Sequence, residues 1–309
     1  MTNINWLRSD SLCLVVCRPA LAGDTAEVME LTSQIWEGND YIPLVWEDWL
    51  SDPEGLLAVA EYGGHVVGLG KLSHLDVDEC WLEGLRVHPD YESRGIASHL
   101  HNYFLAYWQE HYRGVLGVAT GSDNLAVQHL CERSGFIKVG EFTPFVASSL
   151  NPLQEVDKVR MEDKFTKLDI SEVPQALQFA LNSPSLPLAY GLMDIDWRWV
   201  KPTARFFQEA VKRGKAMWWR KGLGLIIFSI REHDGEDMPI LQLIACPLEE
   251  LLACLQDFRM LSGALNYNRA GWMAPRHPEL IPILSEAGFV RDWDLSLYAY
   301  QKNWEGRMV

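Results

Sequence analysis

The order of apolar strands and amphipathic helices predicts an α/β layer fold of α+β type with a mixed central sheet, followed by a looser second copy of the same layout. Three observations carry this. Hairpin-linked strands come first, between residues 55 and 87; strands separated by helices come later; and the same order recurs after residue 164. The chain has 309 residues, of which 48% are apolar, enough for about two ordinary domains.

The elements follow from local pattern. Leu12–Val16 is apolar and β-branched, and Arg18-Pro19 closes it as a strand. An amphipathic helix runs from Gly23-Asp24 to Ile35 with Asp24 as its N-cap. The loop WEGNDYIP (36–43) leads to a short helix over 45–53 that Pro53 ends. Gly55–Glu61 and Val66–Leu75 are strands joined at Gly63-Gly64, and Cys80–Val87 is the next. A loop opening at His88-Pro89 precedes a long helix; Val115–Ala119 is a strand, Asn124–Ser134 a helix, and Phe136 re-enters extended structure.

Residues 147–164 (ASSLNPLQEVDKVRMEDK) are polar and aperiodic, as a linker would be. Beyond them the pattern gives a strand at Lys164–Lys167 and a helix at Ser171–Leu181 capped by Ser171. It continues with a helix at Trp197–Arg213 and strands at Ala216–Trp219, Leu223–Ile230 and Pro239–Ala245. A long helix at Leu248–Leu265, a strand at Ala270–Met273 and a helix at Pro278–Ala287 complete the series. Ser134-Gly135-Phe136 is echoed by Ala287-Gly288-Phe289 at the equivalent place, the mark of an internal duplication.

Charge narrows the partners. The net charge is −15, with −13 of it in residues 1–160 and −2 in 161–309. A chain this acidic repels phosphate backbones, so nucleic acid is not expected as a partner. The longest apolar run, Leu223–Ile230, is strand-sized, so no membrane partner is expected. The opening MTNINWLRSD lacks the plan of a signal peptide, and six cysteines stand without a CxxC. A cytoplasmic protein without a disulfide framework or a metal site is expected; His99 and His101, two apart on a helix, face away from each other.

The most informative stretch is LEGLRVHPDYESRGIASHL (82–100): a strand ends, a glycine-containing loop turns, and a helix begins. Free N–H groups in such a loop and in the first helical turn form an anion pocket, reinforced by the helix dipole. Glu92-Ser93-Arg94-Gly95-Ile96-Ala97 resembles the acyl-CoA loop of the GNAT N-acetyltransferases, Gln/Arg-x-x-Gly-x-Gly/Ala, with Glu92 departing at the first position. Residues 124–136 (NLAVQHLCERSGF) resemble that family's Asn-x-x-Ala-x-x-Leu-Tyr-x-x-x-Gly-Phe, with Val127 and Cys131 as departures. With WEGNDYIPLVWEDWLSDP (36–53) added, the similarity narrows to the branch containing the histidine N-acetyltransferases and their bacterial relatives, which carry a second, motif-poor half.

The resemblance implies a GNAT fold, a catalytic domain over 1–150, a degenerate GNAT-like domain over 151–309, and acetyl-CoA as cofactor with CoA as product. It implies cofactor contacts from Arg94, Gly95, Ile96, Ala97, Ser98 and Asn124, and from the backbone of Leu85 and Val87 where GNAT strands splay. Glu83 stands where GNAT enzymes keep a general base; a surface carboxylate on a half-exposed strand is the competing reading. Cys131 replaces the tyrosine that protonates the leaving thiolate, and a small core residue is its plainer role. Asn124 also suits an N-cap. Asp40 and Tyr41 lie in the loop expected to meet the acceptor amine, or form an ordinary turn.

Trp36, Trp46 and Trp49 suit either an aromatic face for a cation or core packing. In the second half, Ala245-Cys246-Pro247-Leu248-Glu249 replaces the phosphate loop, and Pro247 removes a donor. The expected reaction is acetylation of a small-molecule amine, such as the α-amine of histidine or another amino acid, by a monomer or homodimer. A polyamine, an aminoglycoside or a protein N-terminus is the alternative acceptor. A non-catalytic acyl-CoA-binding module is the alternative of another class.

Overall fold

The computed structural model describes residues 15–150 and 164–304. By compactness, 15–116 with 303–304 form one unit, and 117–150 with 164–302 form the other.

The first unit opens with β1 (Val16–Pro19), α1 (Thr25–Ser33) and α2 (Ile42–Ser51). The antiparallel strands β2 (Leu56–Tyr62), β3 (His65–Asp76) and β4 (Glu79–Val87) follow, and then the long helix α3 (Ile96–His111). Alternation along the strands sorts their faces. Leu57, Val59 and Leu69 point to one side and bury Val28, Leu31, Ile42 and Trp46 of α1 and α2. Gly68 and Gly70 point to the other, where Ile96, Leu100 and Phe104 of α3 lie so close that an added Cβ would come within 2.9–3.1 Å of them. Three layers result, and the small residues set how closely α3 can pack.

One irregularity matters most. Lys71 pairs with Glu83 and Leu69 with Arg86, so Gly70 alone faces the two residues Gly84 and Leu85. This is a β-bulge built on a left-handed glycine, since Gly84 has φ +66°. Leu69 and Lys71 share a face, so their partners Glu83 and Arg86 share it too. In a regular strand, residues three apart point to opposite sides.

In the second unit, β5 (Val115–Gly121), α4 (Leu125–Arg133) and β6 (Ile137–Ser148) precede β7 (Phe165–Lys167) and α5 (Val173–Leu181). Next come a two-stranded ribbon of β8 (Met193–Asp194) and β9 (Trp199–Val200), α6 (Ala204–Lys212), β10 (Ala216–Trp219), β11 (Gly224–His233) and β12 (Glu236–Ala245). The chain ends with α7 (Leu251–Ala264), β13 (Arg269–Pro275), α8 (Leu280–Glu286), β14 (Val290–Arg291) and β15 (Leu297–Asn303). The sheet order is β5-β15-β6-β13-β12-β11-β10-β7, with β14 beside β6 and only β12 and β13 parallel among the registered pairs. Its core joins Leu255 and Phe258 of α7 to Phe228, Leu241 and Trp272 of the strands. Compactness thus divides the chain elsewhere than the duplication does, because β6 pairs with β13 and β15 from later sequence.

The mixed sheet matches expectation, and several local readings change. Residues 12–14 of the first expected strand lie outside the described residues; the described strand is Val16–Pro19. Asp24 precedes α1 but does not cap it, because its carboxylate is taken by Arg18 and by the Leu21 N–H. Asp169, not Ser171, caps the turn before α5: it accepts from the Ser171 N–H, and Glu172 accepts in return from the Asp169 N–H. The helix expected over 197–213 is confined to Ala204–Lys212, with Trp199-Val200 extended before Pro202. Ala147 and Ser148 of the expected linker belong to β6, and 151–163 lie outside the described residues. The strand β15 was not foreseen. Among the described residues no helix is long and apolar enough to cross a membrane.

The bulge sets a stability test. A Cβ at Gly84 would meet the Trp49 ring at 2.6 Å in a conformation side chains avoid. Gly84→Ala is expected to cost about 2–4 kcal/mol from left-handed strain plus overpacking. Urea unfolding checks this, and an unchanged midpoint would contradict it.

Candidate active site

The candidate site lies on the face of β4 that carries Glu83 and Arg86, beside the loop between α1 and α2. Glu83 is half-buried, and the Ser73 hydroxyl donates to its Oε1 at 2.6 Å from the neighbouring strand. Next to it Lys71 is fully buried and donates to Asp52, so this charge is matched within the fold. Neither Ser73 nor Lys71 was singled out from sequence. Both follow once β3 is set against β4 in register.

Arg86 is the larger omission. Its Nε and Nη2 donate to the two carboxylate oxygens of Asp40 at 2.9 and 3.1 Å, and its Nη1 donates to the Leu85 carbonyl at 3.2 Å. The Asp40 side chain is 0% exposed and that of Arg86 12%. The guanidinium lies 4.4 Å from the Trp36 ring centroid and 5.3 Å from that of Tyr41. Asp40 therefore anchors a cation of its own chain, where sequence had offered it to a substrate ammonium. The detectable signal was the glycine inside LEGLR, since glycine within a strand often marks a bulge.

Tyr41 packs edge-on against Trp49 at 6.2 Å, and Trp49 covers Gly84. Burial raises the Tyr41 phenol above its ordinary value; Arg86 opposes this, while Glu83 and Asp40 reinforce it. Tyr41 thus keeps its proton at neutral pH and stands within electrostatic range of both Glu83 and Arg86. The three tryptophans separate: Trp46 is core, Trp49 supports the bulge, and Trp36 is 60% exposed over Arg86.

Past the bulge, Leu85 and Val87 continue the strand, and His88–Glu92 turns the chain. Ser93 and Gly95 are left-handed, at φ +60° and +80°, around Arg94. Such alternation aims successive N–H groups into one concavity, and α3 begins there with its unpaired first turn. A Cβ on Gly95 would meet nothing nearer than 3.8 Å, so it is the backbone conformation that calls for glycine. Arg94 is exposed, 5.1 and 5.7 Å from the Tyr91 and Tyr62 rings, and donates to the Asp90 carbonyl. Ile96 is core, while Ala97 and Ser98 are half-buried on the first turn. These donors fit a diphosphate.

Further along the chain, Asn124 caps α4 by accepting from the Val127 N–H at 3.2 Å. Cys131 is buried within α4, and burial pushes its thiol up to about 12, a poor proton donor with a packing role. His101 is buried in α3 and pushed down to about 4, so it is neutral, whereas His99 is exposed and bonds the Gly95 carbonyl. In the second unit His233, Asp234 and Asp292 gather, with Arg269 3.6 Å from each aspartate as an internal counter-charge.

In the second half the backbone at the end of β12 is already occupied. β12 and β13 register at only two pairs, Ile240 with Gly271 and Leu241 with Trp272. Beyond them serines take the backbone of Ile244, near the end of β12, and of Cys246 just after it. Ser185 donates to the Ile244 carbonyl and accepts from the Cys246 N–H, and Ser183 donates to the Cys246 carbonyl. An incoming ligand strand would have to displace these bonds.

A strand bulged beside a carboxylate thus leads, through a loop of convergent N–H groups, into a helix, an arrangement able to hold a phosphorylated ligand next to a carboxylate. Residues 25–136 match the family model for the acetyltransferase (GNAT) family. It is 27% identical over 205 residues to human "Probable N-acetyltransferase 16", covering 63% of this chain and 55% of that protein. It is also 27% identical over 134 residues to "Histidine N-acetyltransferase" of Xenopus tropicalis, covering 41% of each. The chain thus spans about half the length of the curated relatives it matches. A solved tandem GNAT protein from the clavulanic acid biosynthesis pathway shares the fold with a TM-score of 0.54 at 13% identity, covering 94% of this chain and 99% of that one.

The Asp40–Arg86 pair yields a test. Asp40→Ala strands a nearly buried guanidinium and is expected to cost about 3–5 kcal/mol, with Asp40→Asn milder. The denaturant midpoint should fall with an unchanged slope. Full stability in the alanine variant would mean the pair does not hold the loop.

Proposed function

We propose that the chain moves an acetyl group from acetyl-CoA to the primary amine of a small molecule, with the α-amine of an amino acid as the favoured acceptor. The observation that carries this reading is Glu83 set one residue before a bulged strand that runs into the Gly95 loop. Histidine is the acceptor in the name of the Xenopus relative, which makes it the first acceptor to try. We assign the catalytic domain to residues 1–150 and a degenerate GNAT-like domain to 151–309, on the strength of the duplicated order and the closed backbone at Cys246.

Bound acetyl-CoA supplies the acetyl group as an activated thioester. The N–H groups from Ser93 to Ser98 and the Arg94 guanidinium hold its diphosphate, which lets an acidic protein bind an anion. The backbone of Leu85 and Val87, where the resemblance places the cofactor, would align the pantetheine arm as if it were a strand. Glu83, steadied by Ser73, takes the proton from the acceptor ammonium, so that the neutral amine attacks the thioester carbonyl. The C–N bond forms, the C–S bond breaks, and CoA leaves as the thiol after gaining a proton. The partners are then the cofactor and a small amine, with neither nucleic acid nor membrane involved, in a cytoplasmic monomer or homodimer.

Two outcomes check the reading. Free CoA should be released from acetyl-CoA in the presence of amino acids, and Glu83→Gln should lower kcat about 100- to 1,000-fold while the acetyl-CoA Kd stays within about threefold. Equal loss of turnover and binding would remove the base role. Binding of acetyl-CoA with no release on any amine would leave a non-catalytic module.

A further inference from the structure

We infer that Arg86 recognises a carboxylate beside the acceptor amine, so that the acceptor class is the zwitterionic α-amino acids, with the amine at Glu83 and the carboxylate at Arg86. The inference rests on the acetyl-transfer reading above. It starts from strand register. The Gly84–Leu85 bulge inserts one residue, which turns Arg86 onto the face that holds Glu83. One negative and one positive group of the protein then stand on one face of β4, and Tyr41 responds to both. A ligand that complements this order carries a positive end toward Glu83 and a negative end toward Arg86.

The surroundings favour recognition over a plain structural pair. An internal ion pair needs only its two partners, and Asp40 already supplies the second. Yet Arg86 is also stacked beneath a tryptophan that is 60% exposed, and 12% of its own side chain reaches the surface. The loop that presents this tryptophan takes three left-handed residues in succession, Trp36, Glu37 and Gly38, at φ 48°, 57° and 87°. Two of the three are not glycine, and strain of this kind collects where a site must be shaped. Asp40 fixes the plane of the guanidinium. With its plane fixed by Asp40 and one Nη1 hydrogen on the Leu85 carbonyl, the guanidinium still has Nη N–H groups to offer a second carboxylate in a set geometry, which a lysine would not.

The test varies the acceptor and leaves the protein intact. CoA release by the unaltered chain is measured with L-histidine, L-histidinamide and histamine, and with the same trio built on L-leucine. The amino acids should exceed the amides and the decarboxylated amines by about 10- to 100-fold in kcat/KM, the range of one charge-assisted hydrogen-bonded contact. Arg86→Lys should raise the amino-acid KM and shrink that preference, with the acetyl-CoA KM within about threefold. Should the lysine variant misfold, the paired substitution Asp40→Asn with Arg86→Gln removes both charges together and should abolish the preference. Equal rates for acid and amide would overturn the role of Arg86 while acetyl transfer stands. No release with any of the six would overturn both.

Discussion

The left-handed turn of Gly84 is the constraint on which the site depends. A bulge at this residue places an extra position opposite Gly70, lets Trp49 lie directly on the strand, and turns Arg86 toward Glu83. Each consequence is steric. Trp49 can approach because no Cβ stands in the way, Tyr41 packs on Trp49, and the loop bearing Asp40 is tied to Arg86. A local break in pairing thereby gathers a carboxylate, a guanidinium, a phenol and an exposed indole from segments some forty residues apart in sequence.

The stretch that follows β12 in the second unit is arranged differently from the one that follows β4. In the first unit the segment after β4 enters a loop with Ser93 and Gly95 left-handed and N–H groups turned to one side. In the second unit the segment after β12 meets Pro247, and its neighbouring backbone groups are bonded by Ser183 and Ser185. Buried backbone donors and acceptors must be satisfied. Where no ligand strand is expected, side chains from the same unit do it. The echo between the halves survives in detail: Gly135 and Gly288 each precede a phenylalanine, and each has φ +81°.

Much of the fold was legible because it rests on local pattern. The alternation in β2 and β3, the glycine turn between them and the strand–loop–helix at Gly95 are carried by neighbouring residues. Readings failed where a partner outside the element's own pattern decided. Asp24 is drawn from its cap by Arg18, and β15 is held by pairing with β6, far away in sequence. The site divides the same way. Glu83 and the Gly95 loop belong to one continuous motif, whereas Arg86 sits on the wrong parity for its face until the bulge is known. Asp40, expected beside an acceptor amine, is paired instead with a residue 46 positions away.

The central claim is that the first half holds acyl-CoA along the bulged strand and the Gly95 loop. Hydrogen exchange of the full chain with and without acetyl-CoA addresses it directly, because it reads backbone N–H groups one segment at a time. The account predicts new protection at residues 85–87 and 93–98 and none at 244–250. Protection at 244–250 instead, or no change at 93–98 under saturating acetyl-CoA, would contradict it.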